Sequence, residues 1–219
     1  MKVLVIGATG GSGKAAVKWL LEAGHEVTAF ARRPERLELS GERLRFVSGD
    51  VLSTADVERA VQGQDAVVVT LGITENPIRV RLLGPAGTPL DVRSRGTAQV
   101  IAAMRRCGVS RVVVQTSYGV GETRARLRWM ERLLFALLLA PQIADTERQD
   151  SLVAESGLDW TLIRPVHLTD SLAHEMPYAS TSGDTARMSL SRSSVGRFLA
   201  AAVTTEELVG RRVALSGAA

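Results

Sequence analysis

Little in this chain is of a kind to do chemistry, and what there is falls in a few places. The first is Gly7-Ala8-Thr9-Gly10-Gly11-Ser12-Gly13, directly after the apolar run Val3-Leu4-Val5-Ile6. Gly7 allows a tight turn. Gly10 lets backbone N–H groups approach an anion, and Gly13 lets a following helix pack closely on the strand before it. The helix amino terminus then faces the anion with its unpaired N–H groups and the positive end of its dipole. Such a turn after a first strand is the pyrophosphate site of a dinucleotide. The spacing is Gly-x-x-Gly-x-x-Gly, because position 9 is Thr9. A plain strand–helix turn would need only one of these glycines.

The second place is Phe30-Ala31-Arg32-Arg33, with Arg36 one turn further on. An NAD binder has an acidic residue near the end of the second strand to grip the ribose 2′-hydroxyl. Here the tip carries no carboxylate, and a guanidinium fork suits a 2′-phosphate. The expected cofactor is therefore NADP(H); the alternative is a pair of solvated surface arginines. Asp50, in Gly49-Asp50-Val51, could accept from the adenine amino group. The segment Leu71-Gly72-Ile73 falls where backbone passes the cofactor.

The third place is Ser117-Tyr118, with His167 further along. No Gly-x-Ser-x-Gly elbow surrounds Ser117, which argues against a nucleophile. Tyr118 is followed four residues later by Glu122, and no lysine lies beyond Lys18. A Tyr-x-x-x-Lys dyad, in which the lysine lowers the tyrosine pKa for proton transfer, is thus impossible. Tyr118 could stack on an acceptor or simply pack. His25, His167 and His174 lack ligand spacing and Cys107 stands alone, so no metal site is expected.

The elements that must hold these residues alternate along the chain. Strand candidates are Val3–Ile6, Glu26–Ala31, Leu44–Val47, Ala66–Leu71, Arg111–Thr116, Trp160–Arg164 and Arg212–Leu215. Helix candidates are Gly11–Ala23, Thr54–Gln62, Val92–Arg106, Arg126–Ser156 (broken near Pro141) and Ser193–Val203. Near-continuous Val/Ile/Leu strands are buried on both faces of a parallel sheet. The expected fold is α/β: a doubly wound Rossmann fold, its mainly parallel sheet of about seven strands flanked by helices, in one domain over residues 1–219. Gly72–Leu90 and Val166–Met188 read as irregular loops on the substrate side. Apolar residues at helical spacing around Trp129, Met130, Leu133, Leu134, Leu137 and Leu138 read as core, with a surplus that could cover a substrate or a dimer partner.

Composition narrows the function classes. Of 27 basic residues only Lys2, Lys14 and Lys18 are lysines; the arginines are scattered, and aromatics are 4%. The net charge of +4 therefore does not read as a nucleic-acid surface. The longest apolar run, Leu133–Ala140, is eight residues, against the roughly 20 that span a bilayer. Met1–Ile6 runs straight into the turn and reads as a strand rather than a signal peptide. The lone Cys107 suits a reducing compartment, so the expected location is the cytoplasm, as a monomer or homodimer.

On these residues the chain resembles the atypical short-chain dehydrogenase/reductases, the group that includes the biliverdin-IXβ/flavin reductases. The matching segments are Gly7–Gly13, Ala31–Leu37, Gly49–Leu52, Gly63–Val69, Thr116-Ser117, Glu155–Thr161, Arg164–Asp170 and Leu190–Arg192. The resemblance implies NADP contacts at Gly7, Thr9, Gly10, Gly11, Ser12, Gly13, Arg32, Arg36, Asp50, Val51, Leu71 and Gly72; Arg33, Ile73 and Pro165 are counted with them. It implies an active-site serine at Ser117 and a histidine near the nicotinamide at His167. Thr146 stands where relatives often carry lysine or histidine. The expected activity is NADPH-dependent hydride transfer to a small planar acceptor (a flavin, quinone or biliverdin-like tetrapyrrole). A non-enzymatic NADP(H) redox sensor is the main alternative. A nucleotide-sugar epimerase or dehydratase is disfavoured by the missing dyad and by the short chain after Leu168.

Overall fold

Uninterrupted valine and isoleucine strands must be covered on both sides, and the architecture does so. The computed structural model describes residues 1–73, 87–126, 140–171 and 173–218. Its strands are β1 (Lys2–Ile6), β2 (Glu26–Ala31), β3 (Leu44–Ser48), β4 (Ala66–Val69), β5 (Arg111–Gln115), β6 (Asp159–Pro165), β7 (His167–Thr169), β8 (Tyr178–Ser180), β9 (Ser189–Ser191) and β10 (Arg211–Ser216). Its helices are α1 (Gly11–Glu22), α2 (Thr54–Val61), α3 (Val92–Cys107), α4 (Ala140–Ala154) and α5 (Arg192–Ala202).

Eight strands form one sheet in the order β3-β2-β1-β4-β5-β6-β10-β8. Only β8 runs antiparallel, on β10. A separate two-stranded parallel sheet pairs β7 with β9. Strand order reverses at β1, which lies between β2 and β4, so the carboxyl edge beside Ile6 is the topological switch point.

The pleat sorts side chains to opposite faces. Val3 and Val5 join Val17, Leu20, Val195 and Leu199 under α1 and α5. Leu4 and Ile6 join Val57, Val100 and Met104 under α2 and α3. Burying each of these large side chains contributes about 1.5–3 kcal/mol. The α1–α5 contact is close because of Gly196. A Cβ there would lie 2.4 Å from the Ala15 Cβ and 2.7 Å from the Ala16 nitrogen.

Helix ends are closed by identifiable groups. Ser53 accepts from Asp56 N–H to cap α2, and Ser191 accepts from Ser194 N–H to cap α5. At its carboxyl end α5 is held by Arg111, which donates to the carbonyls of Val203 (3.1 Å) and Ala202. Gly24 and Gly108 follow α1 and α3 with φ of 88° and 71°.

The seven expected strands all occur, parallel and in register. Three short ones were not expected: β7 and β8 lie within Val166–Met188, and β9 follows it, so that segment is not simply irregular. The expected helix Arg126–Ser156 is corrected at its start. Arg126 closes a 3-10 turn, Gly121–Arg126, and the described part of the helix, α4, covers Ala140–Ala154. The apolar residues from Trp129 to Leu138, and residues 74–86 of the first loop, lie outside the described residues.

The α1–α5 seam yields a stability prediction. Gly196→Ala should lower stability by about 1–3 kcal/mol, the usual penalty for overpacking. Denaturant unfolding would show a lower midpoint at unchanged slope. An unchanged midpoint would contradict backbone-to-backbone packing of α1 on α5.

Candidate cofactor and active site

The turn after β1 is folded by two glycines and left open by a third. Gly7 sits at φ 82°, and a Cβ there would lie 2.9 Å from the Thr70 carbonyl oxygen. The N–H groups of Gly7 and Ala8 both donate to the Phe30 carbonyl, at 3.1 and 3.2 Å. Gly13 is packed still more tightly: a Cβ would meet the Gly7 carbonyl oxygen at 2.3 Å. The Thr70 hydroxyl, 3.0 Å from the Ile6 carbonyl, closes the back of the turn. Gly10 differs. Its φ is −73°, and a Cβ would meet nothing of the protein nearer than 3.4 Å. Neither strain nor packing requires glycine there; room for an outside group does.

The helix behind this turn has no side-chain cap and no acidic residue in its first turn. The amino ends of α2, α3 and α5 all receive a side-chain oxygen. At α1 the N–H groups and the helix dipole remain available to an anion. The turn therefore fits a dinucleotide pyrophosphate. Ser12 is buried within it, and Thr9 and Gly11 are exposed at its rim.

At the tip of β2 the Arg32 fork donates to the Gly87 carbonyl (2.6 Å) and the Thr88 hydroxyl (3.1 Å). The chain following β4 thus returns to β2 and meets the expected phosphate-reading arginine. Arg33 and Arg36 are exposed and have no side-chain hydrogen bond or ion pair among the described residues. One Asp50 oxygen accepts from Leu52 N–H at 2.9 Å. Val51 and Leu71 flank Gly96 of α3, where a Cβ would lie 3.0 Å from Val51 and 2.7 Å from Leu71. Gly72 and Ile73 follow β4 and are half-buried.

Ser117, Pro165 and His167 lie just beyond or at the carboxyl ends of β5 and β6, at the same edge. The Ser117 hydroxyl lies 3.1 Å from the Tyr118 carbonyl, donating to it. Tyr118 is placed otherwise than a reacting group would be. It is 6% exposed, its N–H donates to the Pro165 carbonyl, and its hydroxyl donates to the Gly183 carbonyl at 3.1 Å. It anchors the segment after β8 to the strand tips. His167 is exposed on β7 and paired in register with Ser189. Thr146 is buried and back-bonds to the Gln142 carbonyl at 2.8 Å.

Several charged residues were not expected from the sequence. Asp145 of α4 accepts from the N–H groups of Arg93 (3.0 Å) and Ser94 (3.2 Å), capping α3 from outside. The Arg93 guanidinium lies 3.3 Å from where a Gly72 Cβ would stand. Burial holds it below the usual arginine value, with Asp145 acting the other way. On β6, Arg164 is 2% exposed and joins Asp150 of α4 to Glu122, the latter at 2.5 Å. Partial burial would raise the Glu122 carboxyl, but the Arg164 hydrogen bond and charge outweigh it and hold the group below the usual glutamate range. Charged side chains spread along the chain carry no local signal of such contacts.

Residues 7–206 match the NAD(P)H-binding family. The chain belongs to that family. Among curated relatives, the (4-alkanoyl-5-oxo-2,5-dihydrofuran-3-yl)methyl phosphate reductase of Streptomyces griseus is 31% identical over 164 residues, 74% of this chain and 46% of the relative. The chain spans about half the length of the curated relatives it matches. A short-chain dehydrogenase/reductase from Veillonella parvula, solved in complex with NADP, superposes with a TM-score of 0.78 at 16% identity, covering 98% of this chain and 94% of that one. ChuY, an anaerobilin reductase from Escherichia coli O157:H7, superposes with a TM-score of 0.76 at 18% identity, covering 99% and 97%. These likenesses show the fold. Family membership, with a neighbour solved with NADP, makes the cofactor NAD(P)H. Among the described residues no helix is long and apolar enough to cross a membrane, and no group of three His, Cys, Asp or Glu could hold a metal.

The depressed Glu122 carboxyl predicts an acid dependence. A carboxylate held low in the folded state stabilises it above its unfolded pKa and loses that contribution as pH falls through the folded value. Glu122→Gln should therefore be less stable than wild type at neutral pH, and the difference in melting temperature should close on acidification. A difference constant with pH would contradict the Arg164 pairing.

Proposed function

We propose that this protein is an NADPH-dependent reductase whose acceptor is a conjugated planar molecule: a flavin, a quinone or a biliverdin-like tetrapyrrole. One observation carries the reading: among the described residues, the glycine turn opens onto strand tips with no positioned proton relay. The Tyr118 hydroxyl is spent on Gly183, Thr146 is turned into its own helix, and no lysine lies beyond Lys18. Alcohol–ketone chemistry needs such a group. A conjugated acceptor spreads its negative charge and can take its proton from water, so the protein has mainly to orient it. Relatives named as reductases, and a fold neighbour that is an anaerobilin reductase, support the same direction.

When bound, NADPH supplies the hydride. The chain's own residues do the rest. Backbone N–H groups of Gly11 and Ser12 receive the pyrophosphate beside Gly10, whose own N–H is donated to the Gly7 carbonyl. Arg32, with Arg33 and Arg36 beside it, reads the 2′-phosphate; the Arg32 fork gives up or shares Gly87 to do so. Asp50, Val51, Leu71 and Gly72 bound the adenosine side, and Ile73 and Pro165 lie further along the cofactor's path. Ser117 rotates its hydroxyl from the Tyr118 carbonyl to the nicotinamide carboxamide or the acceptor. His167, exposed on β7 just past the end of β6, can hydrogen-bond an acceptor there. Tyr118 positions the segment at Gly183.

Purified protein mixed with NADPH and FMN, riboflavin, a quinone or biliverdin should consume the nicotinamide absorbance faster than the uncatalysed rate. NADPH binding without turnover of any acceptor would instead favour a redox sensor, which the missing proton relay suits equally. Arg32→Ala should weaken NADPH about ten- to a hundredfold, the worth of hydrogen bonds to a charged group, and NADH far less. Equal loss for both would reject the 2′-phosphate role.

A further inference from the structure

The rim of the glycine turn is built partly by a residue from the far end of the chain. Arg192, the first residue of α5, lays its aliphatic stem across Gly11. A Cβ on Gly11 would lie within van der Waals overlap of the Arg192 Cδ and 3.1 Å from its Nε. Gly11 is thus glycine for a reason distinct from Gly7 and Gly13: it makes room for this arginine. The guanidinium is one-third exposed and donates to Asp170, 2.6 Å away, whose own side chain is 87% exposed.

Electrostatically this is an odd place for a cation. Arg192 stands at the amino end of its own helix and of α1, where two dipoles present their positive ends. α1 contributes no acidic residue to offset it, and neither does α5. Among the described residues the carboxylate paired with it is Asp170, carried on the exposed chain just after β7 and scarcely withdrawn from water. A solvated ion pair of that kind contributes little to stability. Two helix amino ends and a guanidinium converging on an uncapped turn require an anion of higher charge than one exposed carboxylate.

We propose that Arg192 is a pyrophosphate clamp: on cofactor binding its guanidinium leaves Asp170 for the phosphates held at α1. The proposal rests on the assignment of the glycine turn to the cofactor. It adds a binding residue from outside the amino-terminal half and gives Asp170 a defined role, that of a competing anion. Because Asp170 follows β7 directly, its release also ties cofactor binding to the strand that carries His167.

Calorimetric titration with NADPH, NADH and adenosine 2′-monophosphate tests this on the full chain. The last compound keeps the 2′-phosphate and lacks the pyrophosphate. Arg192→Ala should weaken NADPH and NADH alike by about ten- to a hundredfold and leave adenosine 2′-monophosphate unchanged, whereas Arg32→Ala weakens the monophosphate. Arg192→Lys should recover part of the loss. Asp170→Asn, which removes the competitor without disturbing the core, should tighten NADPH. Wild-type NADPH affinity in Arg192→Ala would overturn the proposal and leave the cofactor assignment standing. So would weakening in Asp170→Asn equal to that in Arg192→Ala, which would mark the pair as structural. Parallel loss of NADPH and adenosine 2′-monophosphate in Arg192→Ala would overturn it as a loss of the whole site. No NADPH binding by the wild type would overturn both.

Discussion

An α-helix whose first N–H groups are left without partners is costly unless something outside the chain completes it. In this protein two glycines hold α1 in that condition. Gly13 brings its first turn onto the Gly7 carbonyl, and Gly7 turns β1 so that Phe30 takes the N–H groups of Gly7 and Ala8. The Gly10 N–H is taken by the Gly7 carbonyl, and those of Gly11 and Ser12 remain beside it, where the fold has no use for a Gly10 side chain. The other helices with described amino ends solve the same problem internally, with Ser53, Ser191 and, across from another helix, Asp145. Binding of a phosphorylated cofactor is thus the completion of a helix as much as the filling of a cleft.

The rest of the site is arranged around that end with little apparatus for moving protons. Polar groups at the carboxyl edge are mostly committed to structure. Tyr118 fastens one segment, Thr146 serves its own helix, and Arg164 binds Asp150 and Glu122 beneath the edge. The Ser117 hydroxyl has the neighbouring Tyr118 carbonyl as its acceptor, and the buried Thr116 hydroxyl has no partner among the described residues. A site whose polar groups are mostly committed to structure is suited to holding a partner in place for the cofactor.

The parallel sheet and the cofactor turn were legible in the sequence because their signals are local. Buried parallel strands are runs of Val and Ile, and a phosphate turn is a cluster of glycines within one short stretch. The reading failed where structure is made by distant partners. Strands β7, β8 and β9 are three residues each and owe their existence to pairing with β9, β10 and β7 respectively. Arg192 falls in a segment that matches the family, but nothing in the sequence brings it to the glycine turn until α5 is packed on α1, and Asp145 reads as an ordinary helical aspartate until α3 starts opposite it. Tyr118 could stack on an acceptor or pack by its position after β5; only the fold supplies the Gly183 carbonyl that accepts its hydroxyl.

The strand order also dictates when the molecule can be finished. β10, residues 211–216, lies between β6 and β8. On a ribosome the glycine turn and its flanking strands emerge first and have their neighbours early, since β1, β2 and β3 are consecutive in chain and in space. The outer edge must wait. β8 has no strand to pair with until β10 has been made, and until then the backbone groups on both of its sides are open. The strands around the glycine turn are therefore paired early, whereas α5, which packs on α1 and covers the same face of the sheet, is made late, so a chain stalled between them has the turn without its support.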